Sequence, residues 1–404
     1  MGSLGRPFRA VWASVVVSST GDGMFNTALP LTAAVLTRDP VLISGLTTAQ
    51  RLPWLVASML TGALADRGDR RRLMIWSDVG RFAVVALLGV ALWADVANIW
   101  MLYACAFLLG VGETLHVNAA QALVPAIVAD ADLMQANARF GAAQIAATQF
   151  VGPPLGVVAF HAGMSVPYLA DALTFAGSAA LVQTTPDVHG VEAPRTRLRD
   201  DIREGFGFLW RTPSLRRMTE LLSVINFVYF AAISLLVLYV EELLEAGTFV
   251  FTAMFVGAAT GTVLSRFVVT RISDRFGEFT TMVVAVWFWA AAIVGMSVTS
   301  SPTVAVASYS LLGVGTGLWW AVNTTVRQQL TPARLRGRVN AAYRTVSWGV
   351  VPFGAAFGGL AAKWWGLRSP FVIAGVAMVL VAFASGRMLR AVGVALAAER
   401  SPEA

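Results

Sequence analysis

Apolar runs of about 20 residues, separated by short polar breaks, recur from one end of the chain to the other. A bilayer's hydrocarbon core is about 30 Å thick, and about 20 apolar residues in a helix cross it. The pattern predicts twelve spanning helices: 8–36, 41–65, 72–96, 98–128, 136–160, 164–184, 213–242, 247–270, 279–300, 302–330, 338–362 and 366–390. The first run is long and carries no small-residue cleavage pattern in the right place, so it reads as the first span rather than a secretion signal. The longest break, Thr185 to Thr212, holds Pro186, Pro194 and alternating charge. Within it, Leu198 to Trp210 predicts an amphipathic helix on the inner membrane surface. The expected fold is an all-α membrane protein: twelve transmembrane helices in two pseudo-symmetric six-helix bundles. These occupy 1–184 and 213–390, joined by a cytoplasmic linker, 185–212, and followed by a tail, 391–404.

The halves repeat. Shifted by 203 positions, Gly110-Val111-Gly112-x-x-Leu115 falls on Gly313-Val314-Gly315-x-x-Leu318. In the same register Asn137-Ala138 falls on Asn340-Ala341, Phe150 on Phe353 and Gly156 on Gly359. Single glycine or alanine matches carry little weight in such a sequence; one ungapped offset across two predicted helices indicates duplication. Parallel six-helix repeats are one architecture of alternating-access transporters.

Composition sharpens the class. Of 404 residues, 57% are hydrophobic and 13% charged, against about a quarter charged in soluble domains. That excludes an ordinary cytosolic enzyme, a disordered chain and a nucleic-acid-binding domain. The arginines fall on alternate breaks. Arg6, Arg9, Arg67, Arg70, Arg71, Arg72, the run from Arg195 to Arg217, Arg271, Arg275, Arg334, Arg336, Arg338, Arg387, Arg390 and Arg400 share one side. The other side has only Arg38, Lys363 and Arg368. The positive-inside rule then places both termini in the cytoplasm and the chain in the cytoplasmic membrane. The net charge of +7 is answered by anionic lipid, so no nucleic-acid partner is expected. The sole cysteine, Cys105, excludes an intrachain disulfide and leaves no thiol metal cluster. No metal or other cofactor is expected.

Charge at membrane depth is costly and marks function. Asp22, Arg51 and Glu113 fall near the middle of the first, second and fourth predicted helices. A carboxylate in a closing cavity and an arginine beside it could exchange a proton as the cavity opens and shuts. A static charge network is the plainer reading. His116, one turn after Glu113, could join a relay or simply pack. Aromatic and amide residues at depth form the expected substrate lining: Phe25 and Asn26, Asn226, Tyr229 and Phe230, and Trp319, Trp320 and Asn323. Glu241 and Glu242 close the seventh helix at the outer face. Arg139, Arg266, Arg327 and Arg344 are expected to latch an inner gate or snorkel to headgroups.

Several strings carry a family resemblance. Gly62-Ala63-Leu64-Ala65-Asp66-Arg67-Gly68-Asp69-Arg70-Arg71-Arg72 resembles motif A of the major facilitator superfamily. A degraded copy, Ile272-Ser273-Asp274-Arg275-Phe276-Gly277, follows the eighth helix. Gly152-Pro153-Pro154-Leu155-Gly156 is similar to the antiporter motif of that superfamily's exporters, although Val157 stands where a second glycine is usual. Ser19-Thr20-Gly21-Asp22, Ala49-Gln50-Arg51-Leu52-Pro53, Asp78-x-x-Arg81, Leu133-x-x-Ala136-Asn137, Tyr168-x-x-Asp171-Ala172 and Arg334-Leu335-Arg336-Gly337-Arg338-Val339 together resemble the branch of the enterobactin exporter and macrolide efflux permeases.

The resemblance implies a cavity lined by the first, fourth, seventh and tenth helices, with Asp22 and Glu113 facing it and Arg51 near enough to pair. It implies gating by Gly62, Asp66, Arg67, Arg70, Arg71, Asp274 and Arg275 and by Gly152, Pro153 and Gly156. It implies a monomer that exports a hydrophobic or amphipathic small molecule in exchange for protons. The alternatives are an uptake permease, for a sugar for example, a non-transporting receptor or scaffold, and a membrane enzyme. No nucleophile elbow or phosphate loop supports the enzyme, and Gly110-x-Gly112 is too short for a dinucleotide fingerprint.

Overall fold

The computed structural model describes residues 4–56, 61, 64, 68–129, 132–186 and 198–400. Among these there is no strand. The apolar runs form α1 (Gly5–Leu36), α2 (Pro40–Val56), α3 (Arg70–Trp93), α4 (Ile99–Ile127), α5 (Leu133–Ala162) and α6 (Val166–Gln183). The later half forms α7 (Leu198–Arg211), α8 (Pro213–Ile233), α9 (Leu236–Leu243), α10 (Thr248–Val298), α11 (Pro302–Gln329), α12 (Arg336–Trp365) and α13 (Ser369–Arg400). Most of their breaks follow the predicted ones within a few residues, and α7 is the amphipathic linker helix. Helix α13 runs on to Arg400, past the predicted end at 390, and the predicted second span beyond Val56 lies largely outside the described residues. The predicted spans 247–270 and 279–300 are the two arms of α10, which meet at a kink where Gly277 adopts φ +83°. That left-handed conformation favours glycine. The predicted seventh span is likewise broken, with α8 and α9 meeting at 46°.

Among the described residues, seven helices are long and apolar enough to cross a bilayer, or eight with the α8–α9 pair counted as one span. The polar residues that lower the hydropathy of α1 and α6, absent from that set, belong to the site described below. Large apolar side chains such as Trp76, Trp93, Trp100, Phe249, Trp364, Trp365 and Phe383 stand exposed. Exposure of this kind, on a chain of apolar helices, is the lipid-facing surface of a multi-pass membrane protein.

Contacts divide the chain into two units. The first comprises 1–38 and 46–195; the second comprises 39–45 and 196–404. In the first, glycines let backbones meet. A Cβ on Gly152 would lie 2.5 Å from the Gly23 Cα, and one on Gly156 2.8 Å from the Met24 carbonyl oxygen. The antiporter-like string is thus the contact face of α5 on α1. Its bend is a π-turn, Ala146–Val151, immediately before Gly152 and Pro153. Gly110 and Gly112 clear opposite sides of α4: the first meets the Gln50 carbonyl of α2, the second the stem of Arg81 on α3.

The second unit repeats this device. Gly313 meets the backbone of Ala258, and Gly315 would place a Cβ 2.8 Å from the Ala285 carbonyl oxygen. The register then slips by one. Gly354 and Gly358 face the α8 backbone at Phe227 and Ala231, the role Gly152 and Gly156 play on α1. Gly359, the offset partner of Gly156, instead meets Pro40, Val41 and Ser44. Helix α7 lies on the start of α12, where Glu204 is held by both Arg334 and Arg338 and Gly205 meets the Arg338 backbone.

This packing makes the glycines unequal. Gly152→Val should cost about 2 kcal/mol or more through overpacking against α1, read as a lower melting temperature in detergent. Gly141→Ala, with open space at its Cβ, should leave the melting temperature unchanged or raise it. Asp39, before α2, accepts from the Val41 amide and from Lys363 Nζ at 3.1 Å. Burial alone would raise its pKa, but Lys363 and the α2 amides outweigh that and hold it below the usual carboxylate range. A depressed folded pKa stabilises above the unfolded value, near 3.9, and that contribution is lost as pH falls through the folded one. Asp39→Asn should therefore lower the melting temperature slightly at pH 7, by no more than about 1 kcal/mol for so exposed a pair, and the difference should vanish on acidification.

Candidate functional site

The polar residues of the first unit converge because helical spacing puts them on facing stripes. Asp78 and Arg81 are three apart on α3, and Glu113 and His116 three apart on α4. Ser18 and Asp22 are four apart on α1; Asp171, Thr174, Phe175 and Ser178 follow one face of α6. Arg81 lies 11 residues into α3, about 17 Å along it, roughly mid-membrane.

Arg81 is the hub. Its side chain is 2% exposed. One nitrogen pairs with Asp78 Oδ1, the other lies 3.6 Å from Asp22 Oδ1, and Ser18 Oγ accepts at 3.4 Å. The guanidinium carbon sits 4.2 Å over the Phe175 ring. Asp78, wholly buried, also accepts from Ser178 Oγ at 2.6 Å. His116 Nδ1 lies 3.0 Å from Asp78 Oδ1, at an angle that falls short of a hydrogen bond. Asp22, with 26% of its side chain exposed, links this buried cluster to the outside. Asp171 is fully buried beside α1, its Oδ1 in the notch left by Gly21. Glu113 accepts from Trp54 Nε1 at 3.3 Å.

Among the sequence candidates, Asp22 and His116 therefore meet, but through Arg81 and Asp78. Arg51 is corrected: no ion pair joins it to Asp22 or Glu113 among the described residues, and its Nε is buried without a hydrogen-bond partner. Arg81 takes that place because it reaches two carboxylates at once. Asp78, Arg81 and Asp171 were quoted only as parts of family strings. Both α3 charges lie well inside the predicted span 72–96, and counting depth along it, as for Asp22 and Glu113, is the signal that finds them.

The proposed substrate lining divides. Phe25 is buried edge-on against Tyr168, and Trp319 is buried against Trp289. Asn323 binds Tyr343 and Arg327, and Asn226 donates to the Ser347 carbonyl at 2.6 Å. These four lie inside the packing of their own units. Asn26 is exposed and accepts from Gln50; Trp320 is 37% exposed; Tyr229 is half-buried, its hydroxyl 3.4 Å from that of Tyr309. Arg327, expected at a gate, is buried among Asn323, Asn340 and the Tyr343 ring.

The motif A residues Gly62, Asp66 and Arg67 lie outside the described residues. Arg70 donates to the Ala122 carbonyl of α4, and Arg71 to the last carbonyls of α6, Val182 and Gln183. Both are latches between helices, with Arg71 also matched to a helix C-terminus. Asp274 and Arg275 are exposed, Arg275 lying over Phe276. Gly152, Pro153 and Gly156 are buried on α1. Among the described residues no group of His, Cys, Asp and Glu could hold a metal ion.

Comparison with known proteins agrees with this architecture. An uncharacterized MFS-type transporter of Bacillus subtilis, YfiS, is 25% identical over 393 residues, covering 91% of this chain and 90% of its own. The multidrug efflux pump Tap of Mycolicibacterium fortuitum is 24% identical, covering 93% and 94%. Macrolide efflux protein A of Streptococcus pyogenes is 25% identical over 126 residues, 31% of each chain. The crystal structure of the nucleoside transporter NupG superposes with a TM-score of 0.73 at 12% identity, over 94% of this chain and 98% of that one. At that identity the likeness shows the fold alone. The Major Facilitator Superfamily model matches residues 11–352 and 247–400. The chain belongs to the Major Facilitator Superfamily, membrane transporters of small molecules built from twelve helices in two six-helix bundles.

Proposed function

We propose that this transporter exports a hydrophobic or amphipathic small molecule in exchange for protons, as a monomer in the cytoplasmic membrane with both termini inside. The observation that carries the reading is the cluster around Arg81, in which one fixed cation is shared by two carboxylates. Asp78 is sealed, and Asp22 is reachable from outside. A proton delivered to Asp22 removes its attraction for Arg81 and loosens α1 from α3. Loss of that proton restores the pair. Protonation thus changes how two helices hold together, which is the coupling an antiporter requires. Glu113, held by Trp54, offers a second exchangeable carboxylate. His116 against Asp78 steadies the sealed side. The efflux names of Tap and macrolide efflux protein A support the outward direction.

Everted membrane vesicles with an acid interior test the reading, with ethidium and erythromycin as probes. Gradient-driven accumulation of either probe is expected; indifference of both to the gradient, or gradient-driven release, would count against export by proton exchange. Asp22→Asn should lower gradient-driven accumulation about tenfold or more, the scale of a lost charge-assisted contact of about 1.5–3 kcal/mol. Glu113→Gln should abolish proton-coupled efflux while binding of the same probe stays measurable. Wild-type efflux by Glu113→Gln would remove that residue from the coupling.

A further inference from the structure

Four carboxyl groups, Asp22, Asp78, Glu113 and Asp171, share one neighbourhood of the first unit with a single buried arginine. Three are accounted for. Asp78 is paired with Arg81, Asp22 shares that arginine, and Glu113 accepts from Trp54. Asp171 is different. Its side chain is fully buried, its Oδ2 has no hydrogen-bond partner, and its Oδ1 receives only the Thr174 hydroxyl at 3.2 Å. That hydroxyl also donates to the Asp171 carbonyl at 2.7 Å. An ionised carboxylate offers about four acceptor sites and is costly to bury without donors. The charged or titratable groups around Asp171 are Asp22 on α1, Arg81 on α3, Cys105 on α4, and Tyr168 on α6 itself. Tyr168 is turned away, donating to Thr32. Arg81 is already occupied by Asp78 and Asp22, and none of these groups donates to Oδ2.

We infer that Asp171 holds a proton as the neutral acid in this state and forms, across Gly21 of α1, a proton-sharing pair with Asp22. The placement follows from Gly21. A side chain there would strike both Asp171 Oδ1 and Thr174 Oγ1, so the absent Cβ is what admits the acid beside the residue preceding Asp22. Asp22 meets the outside and Arg81; Asp171 meets neither water nor an unshared cation. One proton between them satisfies both, with Asp22 charged against Arg81 and Asp171 neutral. When the proton passes from Asp171 to the Asp22 carboxylate, the attraction of Arg81 moves to the newly charged Asp171, and Asp22, the partly exposed member of the pair, is the group that releases the proton. The inference rests on the proton-exchange reading for its role in transport, but the protonation of Asp171 is measurable without any substrate.

Infrared spectroscopy of the full-length protein in nanodiscs at neutral pH, with and without deuterium exchange, reads the C=O stretch of a protonated carboxyl group directly. Wild type should show such a band, moved by carbon-13 labelling of aspartate. Asp171→Asn should lose it and, as a neutral near-isostere, keep a melting temperature within a few degrees of wild type. Glu113→Gln, whose carboxyl accepts from Trp54 and not from Arg81, should retain it. Thr174→Val removes the one donor and should raise the band's frequency without abolishing it. A band that persists in Asp171→Asn, or is absent from wild type, overturns the inference. If Asp171→Asn fails to fold, the Thr174→Val spectrum decides instead, and an unmoved band overturns it. In everted vesicles, Asp171→Asn should exchange ethidium across the membrane yet fail to concentrate it on an imposed gradient. Failure of wild type to respond to the gradient would strike the proton-exchange reading, leaving the infrared result to judge Asp171.

Discussion

A guanidinium cannot give up its proton, so placing Arg81 in mid-membrane obliges the surrounding helices to answer its charge. Asp78 answers from the same helix and Asp22 from α1, with Ser18 and the Phe175 ring completing the shell. Gly112 exists in this setting because the arginine stem runs against α4, where a Cβ would come within 2.6 Å of it. Ser77 and Ser178 tie the same layer together by donating to Gly112 and Asp78. Pulling α1, α3, α4 or α6 away would expose charge to hydrocarbon, at a cost of several kcal/mol per group. The first unit is therefore held by ionic bonds as well as by small-residue packing.

The duplicated half keeps the scaffold and changes the chemistry. Gly110 and Gly112 have working counterparts in Gly313 and Gly315. Glu113 falls on Thr316 and His116 on Trp319. Trp54 donates to Glu113, and Trp289 donates to Thr316, so a tryptophan serves this helix in both halves. The buried arginine of the second half, Arg327, is met by amides and a tyrosine ring instead of carboxylates. Packing glycines are constrained by backbone contact and survive duplication. Side chains that do not set backbone approach are freer to diverge between the halves.

The architecture was legible because lipid imposes one rule, about 20 apolar residues per span, and polar breaks reveal it even in a single sequence. The Leu198–Arg211 helix was equally legible from its amphipathic spacing. So was the break at Gly277, which falls between the predicted spans 247–270 and 279–300. The π-turn before Gly152 was not, since it is a local backbone choice made by packing. Asp22, Glu113 and His116 were found by depth alone. Their partners were not, because depth says nothing about which way a side chain points. Arg51 and Arg81 are both arginines within apolar helices, and only rotation about the helix axis sends Arg81 to two carboxylates. Phe25, Trp319, Asn226 and Asn323 turn into the packing of their own units for the same reason, as aromatic and amide residues at depth serve cavities and cores alike.

The dependence of the first unit on one shared cation is tested most directly by a double-mutant cycle on Asp78 and Arg81, read as unfolding free energy in detergent. Breaking a buried pair one side at a time leaves an uncompensated charge. Asp78→Asn and Arg81→Gln should each therefore cost about 3–5 kcal/mol, while the double variant should be more stable than the sum of the two losses allows by about 2 kcal/mol or more. Strictly additive losses, with no coupling between the two positions, would contradict the account.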